Sequence, residues 1–175
     1  WNGELDGLTI RGAALGDVNV ATDPISMITG APKLSFRSGG PISQGAVTVR
    51  STGPRFSSLR GQIALTQLDP QAPSSAVATF TDASLDLSPN ACTEASGQAR
   101  IVGMAAAGMP DMSGPISCKQ GRVHLSLTPD GDRPGPEVDL LVDLTSPSQP
   151  QLFARTSDPN VQMALPAYGI EVIAP

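Results

Sequence analysis

Apolar and polar residues alternate along most of the chain, and turn-forming residues interrupt the alternation at short intervals. The cleanest case is Val123, Leu125 and Leu127, which are separated by polar positions. A period of two places successive side chains on opposite faces of a strand, so the pattern predicts an antiparallel sheet with one dry and one wet face. Strands are expected at residues 1–10, 15–20, 33–37, 47–49, 63–65, 78–88, 94–101, 123–127, 140–144, 152–153, 161–163 and 170–173.

One short helix is predicted near residues 24–29. Asp23 can accept hydrogen bonds from the first free amide groups, and Pro24 suits the first helical position. Gly30 can adopt the left-handed conformation that ends a helix. We find no comparable helix signal elsewhere in the chain.

The predicted helix has an apolar face, because Ile25 and Ile28 lie one turn apart. A lone helix that follows a β-hairpin is typical of a plug or brace at one end of a sheet. The sequence leaves open whether this helix closes the sheet or contacts another molecule.

The composition indicates one domain of the same fold class. The length of 175 residues allows one ordinary domain with a core, and two domains would be cramped. Aromatic residues make up only 3%, so the core must be aliphatic, and 18 glycines and 17 prolines punctuate the turns. We predict a single all-β domain over residues 1–175, with a curved, largely antiparallel sheet that forms an open roll or a sandwich-like structure. Exposed loops are expected at residues 71–75 and 130–136.

The charge and hydropathy patterns narrow the possible functions. The formal net charge is −5 without any basic run, whereas nucleic-acid binding needs clustered cations. No apolar run approaches the roughly 18 residues of a transmembrane helix, and no secretion signal is present. Because the chain opens on Trp1 without a methionine, we expect a segment of a longer protein whose leader or membrane anchor is absent here.

The two cysteines, Cys92 and Cys118, lie beside turn residues. If they are bonded, they close a loop whose restraint on the unfolded chain contributes roughly 3–4 kcal/mol. A disulfide would also place the protein in an oxidising compartment. The alternative at this point is two unrelated buried thiols in a cytosolic protein.

The residues predict no catalytic constellation, no cofactor site and no metal site. His124 is the single histidine, and its place on the polar face of a strand is typical of a surface residue. No Gly-x-Ser-x-Gly turn is present to hold an activated serine. Gly103 and Gly108 have the spacing of a phosphate-binding loop, but Met109 and Pro110 stand where lysine and serine or threonine are required.

Three methionines cluster within a short stretch, at Met104, Met109 and Met112. Such flexible side chains can form an adaptable contact surface, or they can fill an irregular part of a core. The second interpretation is favoured.

Several motifs in a shared order resemble the periplasmic region of type II secretion system protein N. The likeness covers residues 1–128, and the tail matches only in being strand-like. The opening strand pair leads into a proline-containing helix that ends in glycine, as in that family. The other segments that carry the resemblance are Leu34-Ser35-Phe36, Leu59-Arg60-Gly61-Gln62-Ile63-Ala64-Leu65, Cys92-Thr93-Glu94-Ala95-Ser96-Gly97-Gln98-Ala99 and Gly114-Pro115-Ile116-Ser117-Cys118-Lys119-Gln120-Gly121.

The resemblance implies a non-enzymatic accessory component of type II protein secretion on the periplasmic face of the bacterial inner membrane. It implies an N-terminal anchor outside this chain, and partners on the inner-membrane platform or the outer-membrane secretin side. It also favours a disulfide between Cys92 and Cys118. No catalytic residue or cofactor comes with the family.

Two other functions are weighed against this one. A distant likeness to AsmA-type proteins implies a periplasmic protein that binds or transfers lipids or other hydrophobic ligands on a curved sheet. A secreted hydrolase or sugar-binding module is disfavoured, because Trp1 and Tyr168 alone supply few stacking platforms.

Overall fold

A computed structural model describes residues 2–10, 13–28, 30–39, 42–67, 75–89, 91–105, 109–131, 135–143, 151–168 and 170–173. Several positions discussed above, including Trp1, Gly108 and the loop residues 71–74 and 132–134, lie outside the described residues.

Twelve β-strands form one open sheet, in which each strand lies next to its neighbour in the chain. All neighbours pair in antiparallel fashion except the last two, which run parallel. The predicted all-β, largely antiparallel fold is confirmed as a single open sheet. The strands are β1 (Asn2–Ile10), β2 (Ala13–Thr22), β3 (Lys33–Ser38), β4 (Ile42–Arg50), β5 (Gly53–Ala64), β6 (Val77–Ser88), β7 (Ala91–Val102), β8 (Met112–Lys119), β9 (Arg122–Pro129), β10 (Val138–Asp143), β11 (Gln151–Arg155) and β12 (Glu171–Val172).

One strand, β8, is absent from the sequence prediction. Its Gly114-Pro115 pair is typical of a turn, yet here it lies inside the strand, where Pro115 pairs with Gln98. A Cβ atom on Gly114 would lie 1.8 Å from the carbonyl oxygen of Ser126. The close approach of β9 to β8 at this point therefore requires glycine.

The sheet is bent across β5, β6 and β7, where the strand pairing is irregular at the same level of the sheet. We call this row of irregular positions the crease. Register shifts interrupt the pairing of β5 with β6 and of β6 with β7. Ser58, Asp82 and Gly97 adopt φ values of 52°, 49° and 120° at these shifts. Extra residues of this kind bend a strand and increase its twist. A Cβ atom on Gly97 would lie 2.6 Å from the Cα atom of Ala83, so the crease requires glycine there.

The core lies on the inner face of β5–β12. Leu125, Leu127 and Leu140 belong to one continuous buried cluster that also contains the three clustered methionines, which are buried. The favoured interpretation of the methionines as core residues is therefore confirmed. Among the described side chains of β1–β4, only Val18 and Ala46 are buried.

A second helix, α2, spans Pro159–Ala164 and corrects the prediction of a strand at residues 161–163. Asp158 Oδ1 accepts hydrogen bonds from the backbone N–H groups of Asn160 (2.8 Å) and Val161 (3.3 Å). Val161 is buried, as is Leu165 in the 3-10 turn that follows. The helix belongs to the crossover that joins β11 to the parallel strand β12.

The predicted helix, α1 (Pro24–Ile28), forms with the expected signals at its ends. Asp23 Oδ1 accepts a hydrogen bond from the Ile25 N–H at 3.0 Å, and Gly30 has a φ of 75°. Both isoleucines are exposed, and no residue of the helix is buried. Of the two possibilities that the sequence left open, α1 therefore does not close the sheet as a plug, and it is α2 that packs on the core.

Candidate functional site

Cys92 and Cys118 lie at disulfide distance, with their Cα atoms 5.7 Å apart. Cys92 lies at the start of β7, and Cys118 lies at the end of β8. The pairing between these two strands covers only Gln98–Ile101 on β7, so both cysteines lie outside it. The backbone N–H of Cys92 also donates to the Gly121 carbonyl at 2.7 Å. A covalent bond at this point would hold together two strand ends that the β7–β8 ladder does not reach.

His124 lies in a cross-strand network, and its interpretation as a surface residue is wrong, because its side chain is only 12% exposed. Its Nδ1 atom lies 3.1 Å from Ser117 Oγ on β8, and its Nε2 atom lies 2.9 Å from Asp139 Oδ1 on β10. Sequence reasoning missed both partners, which lie on different strands. A serine, a histidine and an aspartate thus meet on the outer face of the sheet.

This network has the residue types of a hydrolytic triad, but none of Ser117, His124 and Asp139 lines either of the two cavities described below. A triad also needs substrate to reach the serine, with donors aimed at the developing oxyanion. The geometry instead supports a tie between β8, β9 and β10. Arg122 adds a second tie, because its Nε lies 3.1 Å from Asp143 Oδ2 and its guanidinium carbon lies 4.7 Å from the ring centroid of Phe153.

A third polar group links the ends of β7, β8 and β9. The hydroxyl of Ser113 donates to Asp130, and this hydrogen bond is the largest effect that lowers the pKa of the Asp130 carboxyl below its ordinary value. Arg100, whose Nε lies 2.7 Å from Asp130 Oδ2, lowers the pKa further, while partial burial opposes both. Asp130 therefore acts as an ionised anchor at neutral pH. The predicted loop at 130–136 begins at this anchor.

An apolar cavity of about 320 Å³ lies against the inner face of the bent sheet. Its walls come from side chains of β4–β11, where β4 contributes Ile42, from the buried methionines, and from Leu165 and Ile170. Among the described residues of the lining, Arg60 is the one that carries a charge, and its Nη2 atom lies 2.6 Å from Asp82 Oδ1 at the crease. The scarcity of aromatic side chains is the sequence signal for such a space.

The lining of this cavity is almost entirely apolar. An apolar lining offers few partners to an ordered water molecule. The cavity is therefore suited to an apolar ligand such as an alkyl chain.

The N-terminal part of the sheet offers a different kind of surface. A more polar groove of about 750 Å³ crosses β1–β5 and is lined by residues that include Asn19, Arg37 and Gln44. At its side lies β1, the first strand of the sheet, which pairs only with β2 among the described residues. An unpaired strand edge carries free N–H and C=O groups that can pair with another strand.

Within the described ranges, no group of three or more His, Cys, Asp or Glu side chains is arranged to hold a metal ion. In the same ranges, no helix is long and apolar enough to cross a membrane.

Comparison with known proteins gives one result. The family model described as "Type II secretion system (T2SS), protein N" matches residues 1–169. The match confirms the resemblance drawn from the motifs and extends it across most of the tail. No curated protein and no solved structure matches the chain.

Proposed function

Because the chain belongs to the type II secretion system protein N family, we propose that it is a non-enzymatic accessory component of that machine. It acts through protein–protein contacts in the periplasm, at the inner membrane, where a preceding N-terminal anchor holds it. Residues 1–175 act as a single β domain. Its partners are other secretion components, on the inner-membrane platform or on the secretin side. The family match over residues 1–169 is the observation that carries this proposal.

The edge of β1 is the contact that we assign to a partner. The strand has nine residues and is unpaired on one side within the described chain, whereas β12 at the other edge has two residues. A partner strand that adds to β1 would form main-chain hydrogen bonds along its length. Alternate outward side chains of β1 would then contribute specificity.

Site-specific crosslinking in secreting cells tests this assignment. A photoreactive residue at exposed Glu4, in β1, should crosslink to another secretion component. The matched control is exposed Glu94, in the middle of the sheet on β7, which should not. Equal crosslinking from both positions, or none from Glu4, would contradict the assignment to β1.

Secretion assays test the wider role. Deletion of the protein should reduce export of type II substrates, and the wild-type gene should restore it. Unchanged secretion, together with no secretion component in pull-downs, would overturn the proposed role.

A periplasmic lipid or hydrophobic-ligand role is a second candidate, and the apolar cavity favours it. Native mass spectrometry of protein purified from membranes should show a bound lipid or fatty acid. The substitution Ala78→Leu adds side-chain volume to the cavity wall and should lower the occupied fraction, whereas the same change at exposed Ala21 should not. Apo protein in every preparation would exclude this candidate.

A further inference from the structure

Large apolar side chains gather in the open at one end of the sheet, around α1. Ile25, Met27, Ile28 and Val49 are 71%, 61%, 88% and 49% exposed. The Val49 N–H donates to the Pro32 carbonyl at 3.0 Å, which places Val49 beside the segment that leaves α1. We call these four residues the α1 tip.

The α1 tip is held in place by backbone and side-chain hydrogen bonds. Ser26 Oγ donates to the Asp23 carbonyl at 2.6 Å and accepts from the Lys33 N–H at 2.8 Å. The Ala31 N–H also donates to the Ser26 carbonyl at 3.2 Å. The apolar side chains are therefore presented on a preformed projection that is tied to the start of β3.

The apolar side chains of α1 point in several directions. Successive helical residues are about 100° apart, so Met27 lies about 160° around the axis from Ile25. A protein groove takes up one face of a helix. Side chains that radiate from a short projection are better matched by a fluid apolar medium that can surround them.

Two cations lie next to the tip. Lys33 begins β3, and the register of β3, β4 and β5 aligns it with Thr48 and Arg55 in one row. Asp86, which follows Arg55 in this row, pairs with Arg50. Within the described residues, neither Lys33 nor Arg55 forms an ion pair. At the opposite end of the sheet, two carboxylates, Asp111 and Asp130, share a single cation, Arg100. The charge distribution thus makes the tip end the one suited to an anionic surface.

We propose that the α1 tip docks on the surface of an anionic lipid bilayer, where its apolar side chains enter the headgroup region and Lys33 and Arg55 contact lipid phosphates. The inference rests on the inner-membrane location proposed above. Strand β1 also begins at this end, because Asn2 pairs with Ala21 at the end of β2. An N-terminal anchor would therefore meet the domain on the side that the tip occupies.

Vesicle flotation with the purified chain tests the proposal. The chain should float with phosphatidylglycerol vesicles, should not float with phosphatidylcholine vesicles, and should be released by salt. Met27→Ser should weaken binding roughly tenfold, because a large apolar side chain is lost from the buried contact. The matched control is Met163→Ser on α2, which removes a methionine that is 74% exposed and should leave binding unchanged.

Two cations at opposite ends of β3 provide a second matched pair. Lys33→Gln should weaken binding about fivefold, whereas Arg37→Gln, near the other end of the same strand, should not change it. Absence of binding to phosphatidylglycerol vesicles would overturn the proposal, as would equal losses from Met27→Ser and Met163→Ser or from Lys33→Gln and Arg37→Gln. The assay contains no secretion component, so its failure is distinct from failure of the crosslinking and secretion tests.

Discussion

The two parts of the sheet share one connectivity but differ in what covers them. Strands β1–β4 bury only Val18 and Ala46 among their described side chains, whereas β5–β12 share a continuous core. Each part contains one short helix introduced by an Asp-Pro pair. The N-terminal helix α1 has no buried residue, while α2 buries Val161.

The difference shows that alternation makes a strand but does not by itself bury it. A strand face becomes a core only when another layer covers it. The bend at the crease and α2 supply that cover for β5–β12, whereas α1 buries none of its residues against β1–β4. Stability is therefore expected to reside in β5–β12, and recognition in β1–β4 and α1.

The largest effect is expected at the crease. Gly97→Val places a β-branched side chain at a φ of 120°, where a Cβ atom would lie 2.6 Å from the Ala83 Cα. Backbone strain and overpacking together should cost about 4 kcal/mol. Gly39→Val is the control, since a Cβ atom there meets nothing within 4 Å. Chemical denaturation measures the free energy of unfolding of both variants. A similar loss of stability in the two would show that the crease has no special requirement for glycine.

The cysteine pair should contribute the next largest effect. Replacing Cys92 and Cys118 with alanine should lower the free energy of unfolding by about 3.5 kcal/mol, because the unfolded chain regains the conformational entropy that the disulfide removes. Thiol titration of the denatured, non-reduced wild type should find no free thiol. Two titratable thiols would contradict the disulfide.

The contrast between the two helices is tested by truncating one side chain near each. Leu165→Ala, next to α2, removes a buried side chain and should cost about 3 kcal/mol, since a cavity remains. Ile28→Ala on α1 should change stability by less than about 0.5 kcal/mol, because its side chain is exposed. Equal costs from the two truncations would show that α1 is also part of the core.

The smallest effect concerns acid stability. Folding lowers the pKa of Asp130. The ionised carboxylate therefore stabilises the folded protein at pH values above the ordinary pKa of aspartate. This stabilisation is lost as the pH falls through the lower pKa that Asp130 has in the folded protein. Ser113→Ala removes the main cause and should raise the pKa of Asp130 in a carboxyl NMR titration, with less loss of stability in acid. Ser126→Ala, an exposed serine on β9, should leave the titration unchanged.

Local signals predicted α1 and most of the strands, because their causes lie within a few residues. They missed β8 and the first ten residues of β5, and Leu65, predicted as strand, begins a 3-10 turn. The same kind of signal introduces α2, where Asp158-Pro159 repeats the Asp23-Pro24 pair. The period-two spacing of Val161 and Met163 favoured a strand. The four-residue spacing of Val161 and Leu165, both buried, is the helical one.

The misjudged features depend on neighbours that local sequence does not specify. Ser58 and Asp82 adopt positive φ because the pairing of β5 and β6 slips there. His124 shares its strand face with the polar residues Arg122 and Ser126, but its cross-strand partner is Leu141, which is buried. The polar network and the cavity likewise come from several strands, so their residues could be identified only after the strand order was known.

Hydrogen exchange measured strand by strand tests the division of the sheet most directly. Amides of β6–β10 should exchange only through global unfolding, whereas those of β1–β4 should exchange much faster through local opening. Uniform protection across the twelve strands would show that stability is not confined to β5–β12 and would contradict the account.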